Sequence, residues 1–560
     1  MKNPFAPAPP TDPDAGLAPD VAALVAAARR RGIPCIRHPE GGGLVQLGWG
    51  RRARRIQGAV TWNTTHIAVQ IARDPRLAKS LLRDAGVPVP AGAEAPGVRE
   101  AVEIFHRLGG PVVVRALGPG TAEESVSGLD SDDAVRAAYE RARRRGAGVV
   151  VERELAGADH RALVVDGRLV AVARLAAPSV AGDGFRAVAD LVVAENRTRA
   201  AAGATEILAD AAAQEMLARQ GLALESIPPA GMRVKLRAAP DLAAGATAED
   251  VTGAVHPAVA DACTRAARAI GLDVAGVLLV CDSVSSPLEA QGGGVVGITA
   301  APDICMHERA GASGVSDAVL AALFREGSDG RIPLVAVAGG SGIAPRLIAR
   351  AFQASDLNAG LANGEGVRIG RSVVRTDAST EAASALAVLG SAEVEAAVLQ
   401  LSRAALAAPL AFDRCDVAVL VAPGACAMPG AAELAGSARV VVLDAAEPRS
   451  AALARSLAAG ASIVYVSVDG PEGAARHAGA EAPCVYLRDD TVLLATAGRR
   501  IPLTEMRRIP SALRIEDALA AIAALWSCGL EERAIAAALA PRPSRASFDR
   551  VPAGTAHAQR

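Results

Sequence analysis

The chain has 560 residues, 51% of them hydrophobic and 21% charged but only 2% aromatic, with a formal net charge of −1. That length supports several separately cored domains, and the near-neutral balance, without any long basic block, excludes a general nucleic-acid-coating surface. Of the 59 basic side chains only Lys2, Lys79 and Lys235 are lysines, so the chain is almost wholly dependent on arginine for positive charge.

The first 16 residues are Pro-rich, lack the apolar core of a signal peptide and predict a disordered tail. Residues 17–62 open with an apolar-periodic helix at Val21–Ala28, followed by extended runs at Gly43–Leu47 and Arg55–Val60, and contain no recognisable catalytic pattern. One helix is expected over Thr65–Ala85, ending at Gly86 before Val87-Pro88-Val89-Pro90. Between 111 and 298, β-branched runs alternate with helices in a mixed α+β block, and Val165-Asp166-Gly167-Arg168 predicts a tight hairpin. A helix at Val315–Phe324 and a polar link at Glu326–Arg331 close that block.

From Pro333 the rhythm becomes βαβ. A strand at Pro333–Val337, a glycine loop at Ala338–Gly342 and a helix at Ala344–Gln353 are followed by strands at Ala396–Leu399, Val417–Val421, Val440–Leu443 and Ile463–Val466. This pattern predicts a parallel, doubly wound sheet, finished by helices at Ile515–Trp526 and Glu531–Leu539 and a polar tail at 541–560. The domain expectation is therefore 63–310, a connector at 311–331, and 332–540.

No segment has the length and composition of a membrane span. The run Val417–Ala432 is broken by prolines and glycines, and Ala518–Leu530 is too short. The eight cysteines and eight histidines fall in no C-x-x-C, H-E-x-x-H or other ligand spacing, so reduced thiols, a cytoplasmic location and no dedicated transition-metal site are expected.

The block TTHIAVQIARDPRLAKSLLRDAGVPVP at 64–90 is followed by PVVVR at 111–115, VERELAGADHRALVVDGRLVA at 151–171, GDG at 182–184, IPPAGMRVKLR at 227–237 and GLDVAG at 271–276. This series resembles the ATP-grasp domain of the cyanophycin synthetases. SDGRIPLVAVAG at 328–339, AFDRCDVAVL at 411–420 and RIEDALAAIAALWSCGL at 514–530 are similar to that family's Mur-ligase-like module. The resemblance implies an α/β and α+β multidomain chain: an ATP-grasp-like domain followed by a doubly wound Mur-ligase-like domain of the P-loop type. It also implies two ATP- and Mg²⁺-dependent ligations through acyl phosphates, one adding aspartate to a peptide backbone and one adding arginine to its side chain.

Such chemistry requires cations around polyphosphate, carboxylates for Mg²⁺ and a glycine-rich cradle. The family's lysines fall here at Pro75 and Arg115, and its flexible loop reads Leu117-Gly118-Pro119-Gly120-Thr121-Ala122-Glu123-Glu124-Ser125. The family's metal-ligand positions are Leu278, Gly297 and Thr299, none a carboxylate. In the second module Gly339-Gly340-Ser341-Gly342-Ile343-Ala344 puts Ile343 where the phosphate-loop lysine belongs and Ala344 where its hydroxyl belongs, while Gln400 replaces a glutamate. Gly339, Gly342 and Ile343 thus mark a degenerate phosphate loop.

The matching positions imply residual nucleotide contacts at Arg115, Glu152, Lys235 and Arg237, and residual substrate contacts at Arg161, Asp183 and His307. Lys79 is expected on a helix surface. A truncated, catalytically degenerate paralogue is expected, serving as a binding or regulatory partner of a full-length cyanophycin synthetase or of an Asp/Arg-rich peptide, with no cofactor assigned, and homo-oligomeric by resemblance. The alternative is an active ligase that uses ATP and Mg²⁺ through its ATP-grasp module.

Overall fold

The computed structural model describes residues 16–38, 41–118, 125–146, 148–201, 204–376, 380–457, 461–472, 482–496, 499–509 and 513–540. The tails expected at 1–16 and 541–560, apart from Gly16, and most of the 117–125 loop lie outside these residues. The chain forms two compact units: Met1–Leu47 with Arg54–Ser328, and Gly48–Ala53 with Asp329–Arg560.

The first unit contains a four-stranded antiparallel sheet, ordered Gly92–Glu94, Gly148–Arg153, Val112–Leu117, Ser125–Leu129. Helices Val98–Leu108 and Asp132–Arg143 cover it, and Val114, Val149, Val151 and Tyr139 fill the space between. A five-stranded antiparallel sheet runs Thr247–Asp250, Arg168–Ala176, Ala158–Val165, Val274–Cys281, Gly294–Thr299. Its hairpin at Asp166-Gly167 has positive φ at both residues, 48° and 69°, the geometry that matches strand twist in a two-residue turn. One face of this sheet packs on Pro257–Ile270 through Ala162, Val164, Cys263 and Ala266. The other packs through Leu163, Val165 and Val274 on the N-terminal helix Pro19–Arg30 and on Val315–Leu323, so the helix placed in the 311–331 connector is part of this core.

The single helix expected over Thr65–Ala85 is two helices, His66–Arg73 and Pro75–Asp84. Pro75 has no N–H to continue the first helix, and Asp74 takes an extended conformation in which its carboxylate accepts from the N–H groups of Arg76 and Leu77 at 3.0 and 3.3 Å.

The second unit is built on an eleven-stranded sheet. Its centre is parallel, in the order Ala359–Asn363, Ala396–Leu401, Leu334–Ala338, Cys415–Leu420, Ala438–Asp444, Ser462–Ser467, Cys484–Arg488. These strands are nearly continuous in buried Val, Leu and Ala, as expected where both sheet faces are covered. Antiparallel pairs extend both edges, Gly366–Ile369 with Ser372–Arg375 on one and Thr491–Thr496 with Arg499–Glu505 on the other. The helix Ile515–Ser527, buried at every position from Ala518 to Leu525, packs against this sheet and the helix Ile343–Ala354. Among the described residues no helix is long and apolar enough to cross a membrane.

Candidate functional site

In the first unit, Glu152 lies on the central strand of the four-stranded sheet, opposite Gly92 on one side and Val113 on the other. A Cβ at position 92 would lie 2.7 Å from the Val151 carbonyl oxygen and 2.8 Å from Glu152 Cγ, so the glycine makes room for the glutamate. Lys79 projects from Pro75–Asp84 and pairs with Glu152; both are more than nine-tenths buried. The expectation that Lys79 sits on a helix surface is corrected: its face of the helix meets the sheet. Burial pulls the Lys79 ammonium below its ordinary value, Glu152 partly restores it, and the Arg115 and Arg83 charges lower it further.

Arg115, opposite Val150 on the neighbouring strand, has a buried Nε without a hydrogen-bond partner. Lys79, Arg115, Arg76, Arg83, Glu94 and Glu152 all border a cavity of about 150 Å³, smaller than the roughly 300–1,000 Å³ usual for small-molecule sites. Arg76 closes one side through Glu94 at 2.6 Å. The cavity has the cations for an oxyanion, but its most buried one is already neutralised by Glu152.

The five-stranded sheet brings together Leu278, Gly297 and Thr299, the positions that the sequence resemblance assigns to metal ligands. Leu278 pairs with Gly297 and with Arg161, and Thr299 pairs with Gly276 one step along the same face. A Cβ at Gly297 would lie 3.8 Å from Leu278 Cδ2, so the leucine lies over the position from which a second ligand would reach. Mg²⁺ is held by oxygen ligands, chiefly carboxylates and phosphates, and Leu278, Gly297 and Thr299 offer a single hydroxyl; the residues present do not fit the ion. Among the described residues no group of three His, Cys, Asp or Glu is placed to hold a metal.

His307, on the helix Ile304–Arg309 capped by Asp303, is 1% exposed with its Nδ1 unpartnered. Burial drives its pKa to about 4; Asp303 and Asp250 pull it up while Arg161 pushes it down. Arg161 and His307 thus act on each other. Burial likewise raises the Asp159 carboxyl, two residues from Arg161 on the same strand, against the pull of that arginine.

The remaining residues are dispersed. Asp183 accepts from the N–H groups of Phe185 and Arg186 at 2.9 and 2.8 Å and pairs with Arg186 at 2.6 Å, which together hold it at about 2; its oxygens are occupied by its own turn. Lys235 is exposed on a two-stranded ribbon with Ser179–Ala181, and Arg237 pairs with Asp210 at 2.8 Å. Neither bonds to Arg115 or Glu152.

In the second unit the degenerate loop follows Leu334–Ala338, with Gly339, Gly340 and Gly342 at φ 66°, 81° and 79°. Gln400 donates from Nε2 to the carbonyl oxygens of Gly339 and Gly340 at 3.1 and 3.0 Å, fastening the loop from the neighbouring strand. Ile343 begins the helix and packs on the core, and Ser341 donates to Asp517 at 3.3 Å. Burial raises Asp444 and Asp517; Glu516, Glu447 and Asp469 raise Asp444 further, and Glu516 raises Asp517 against Arg514. The edge beyond these strands thus carries several carboxylates and no lysine, with Arg346 donating to the Gly342 carbonyl at 3.1 Å and Arg514 near Asp517 as its cations. Sequence patterns identified the missing lysine but missed these carboxylates, which come from one strand end with the loop that follows it, a second loop and a helix start.

No protein-family model matches the chain. Among curated proteins it is 34% identical over 420 residues to a cyanophycin synthetase of Nostoc sp., covering 73% of this chain and 46% of the relative. It is 33% identical over 422 residues to that of Synechocystis sp., covering 73% and 48%. The chain spans about half the length of the curated relatives it matches. It is also 33% identical over 215 residues to a glutathione biosynthesis bifunctional protein of Streptococcus mutans, covering 36% and 28%. Among solved structures, a bifunctional glutathione synthetase from Pasteurella multocida superposes with a TM-score of 0.43 at 24% identity, covering 56% of this chain and 44% of that one. Over the region it shares with them, the chain is similar to the cyanophycin synthetases, at a third of positions identical.

Proposed function

We propose that this chain retains the two ligase scaffolds of its relatives without ATP-driven ligation, and serves as a binding or regulatory partner of a full-length cyanophycin synthetase or of its Asp/Arg peptide. The observation that carries this reading is the Leu278, Gly297 and Thr299 cluster, where neighbouring strands align three positions on one face and none offers a carboxylate. The Lys79–Glu152 pair supports it, because a phosphate entering that cavity would have to compete with a buried carboxylate for the same ammonium. The packing around these positions is intact, which is what a scaffold kept for binding requires.

Calorimetry with ATP and Mg²⁺ on the whole chain tests the first half. The expected result is no heat of binding and no thermal stabilisation at millimolar ATP, whereas a ligand at 100 times its Kd would add about 2.7 kcal/mol. Mg²⁺-dependent ADP release in the presence of an Asp/Arg peptide would overturn it. Co-elution with an active synthetase, and a change in its polymer yield, tests the second half; absence of both overturns the partner role. The alternative of an active ligase with substituted ligands is favoured only by the surplus of cations around the Arg115 cavity.

A further inference from the structure

Open parallel sheets place their ligands beyond the carboxyl ends of the strands. In the second unit that edge carries the acidic cluster, and a concavity of about 630 Å³ lies at the opposite edge, where the strands Leu334–Ala338, Cys415–Leu420 and Ala438–Asp444 begin. Its floor is Trp49, 2% exposed, with the Arg331 guanidinium 4.5 Å above the ring. Arg331 is held in a fork by Asp413, with contacts of 2.9 and 2.5 Å, so the floor is electrically matched.

The rim is not matched. Arg52, Arg414 and Arg439 face the cavity with only Asp329 and Asp416 among them. Arg52 donates one N–H to the Arg331 carbonyl at 2.8 Å, and Arg414 donates one to Asp329 at 2.9 Å. Among the described residues these are the only hydrogen bonds of the two guanidiniums, each of which carries five donors. Arg439 is directed to the Ser527 carbonyl at 2.9 Å and lies 3.8 Å from Asp416. Ile332, Pro333 and Leu457 supply an apolar wall. Two arginine forks with unspent donors beside an apolar wall match a compact body that carries oxyanions, because the planar guanidinium pairs two-pronged with carboxylate or phosphate.

We propose that this amino-edge cavity is a binding site for a small organic anion with at least two carboxylate or phosphate groups, held chiefly by Arg52 and Arg414. The site is independent of nucleotide binding, and its test does not involve ATP.

The experiment is calorimetry on the full chain with citrate and, separately, inorganic pyrophosphate, at constant ionic strength against a chloride baseline. At least one probe binds, and Arg52→Gln and Arg414→Gln each weaken it by about tenfold, the loss of one charged hydrogen-bonding group. Arg414→Lys, which keeps the charge without the fork, gives an intermediate loss, and Arg168→Gln, on the exposed hairpin of the first unit, leaves affinity unchanged. Binding of citrate alone assigns carboxylate chemistry, and of pyrophosphate alone phosphate chemistry. Failure of both probes to bind, wild-type affinity in the Arg52→Gln/Arg414→Gln double variant, or an equal loss in Arg168→Gln overturns the proposal. Should a variant fail to fold, the wild-type chain crystallised with the probe decides: density against Arg52 and Arg414 supports the site, and density elsewhere overturns it.

Discussion

The scarcity of lysine has its clearest consequence at Lys79, which is buried against Glu152. Breaking a buried pair leaves the other charge without compensation, so Lys79→Ala should lower stability by about 3–5 kcal/mol, measured by denaturant unfolding. The double variant Lys79→Met/Glu152→Leu should recover most of that loss, because it removes both desolvation costs together. A Lys79 free on the surface would give less than about 1 kcal/mol in the single variant. Sequence could place Lys79 on a helix but not assign its face, because the break at Asp74-Pro75 resets the helical phase and the partner lies 73 residues away. Arg115 and Glu152 are grouped in the sequence only as nucleotide contacts implied by resemblance; their adjacency comes from the pairing of Val112–Leu117 with Gly148–Arg153.

His307 gives the pH dependence its sign. Its folded pKa is near 4 against an ordinary 6.5, so the unfolded chain binds the proton first as pH falls. Above pH 6.5 the residue is neutral in both states and costs nothing. Below it, stability declines as pH drops through 6.5 toward 4, by about 3 kcal/mol in total. His307→Leu should flatten that decline, and the difference between the two pH–stability curves isolates it from the carboxylates that titrate in the same range.

At the scale of elements, the Asp74 cap and the glycine loop differ in how local their causes are. The helix break is caused by two adjacent residues, and Asp74→Ala should lower stability by about 1 kcal/mol through loss of the cap to Arg76 and Leu77. The loop is held from outside its own sequence, by Gln400 on its carbonyls and by Asp517 accepting from Ser341. Reinstalling Ile343→Lys and Ala344→Ser should therefore leave the second unit without measurable ATP binding by calorimetry at millimolar ATP. Binding in that variant would mean that the missing side chains alone had closed the site. The loop's lost motif was readable in sequence; the carboxylates that would oppose phosphate were not, because Asp444, Asp469 and Glu516 meet only after the parallel strands align.

At the scale of the molecule, strand and helix rhythms gave the order of the elements, including the change to a βαβ pattern near Pro333, but not the path of Gly48–Ala53. This short segment between two strands of the first unit belongs to the second. The Trp49 N–H donates to the Gly330 carbonyl and the Arg51 N–H to that of Val394, both at 2.8 Å, while Trp49 underlies Arg331. No local pattern records such a crossing, since six residues have neither period nor turn signature of their own. It makes the second unit discontinuous in sequence, so a piece beginning at Asp329 lacks the tryptophan and the backbone donors that seat its arginine. That piece, residues 329–560, should unfold at lower denaturant concentration alone than within the whole chain, by a margin of about 3–5 kcal/mol for loss of a buried aromatic. Trp49→Ala in the whole chain should reproduce most of the deficit, read from near-ultraviolet circular dichroism and denaturant midpoints. Equal midpoints for the isolated piece and the whole chain would mean that the second unit is complete without Gly48–Ala53.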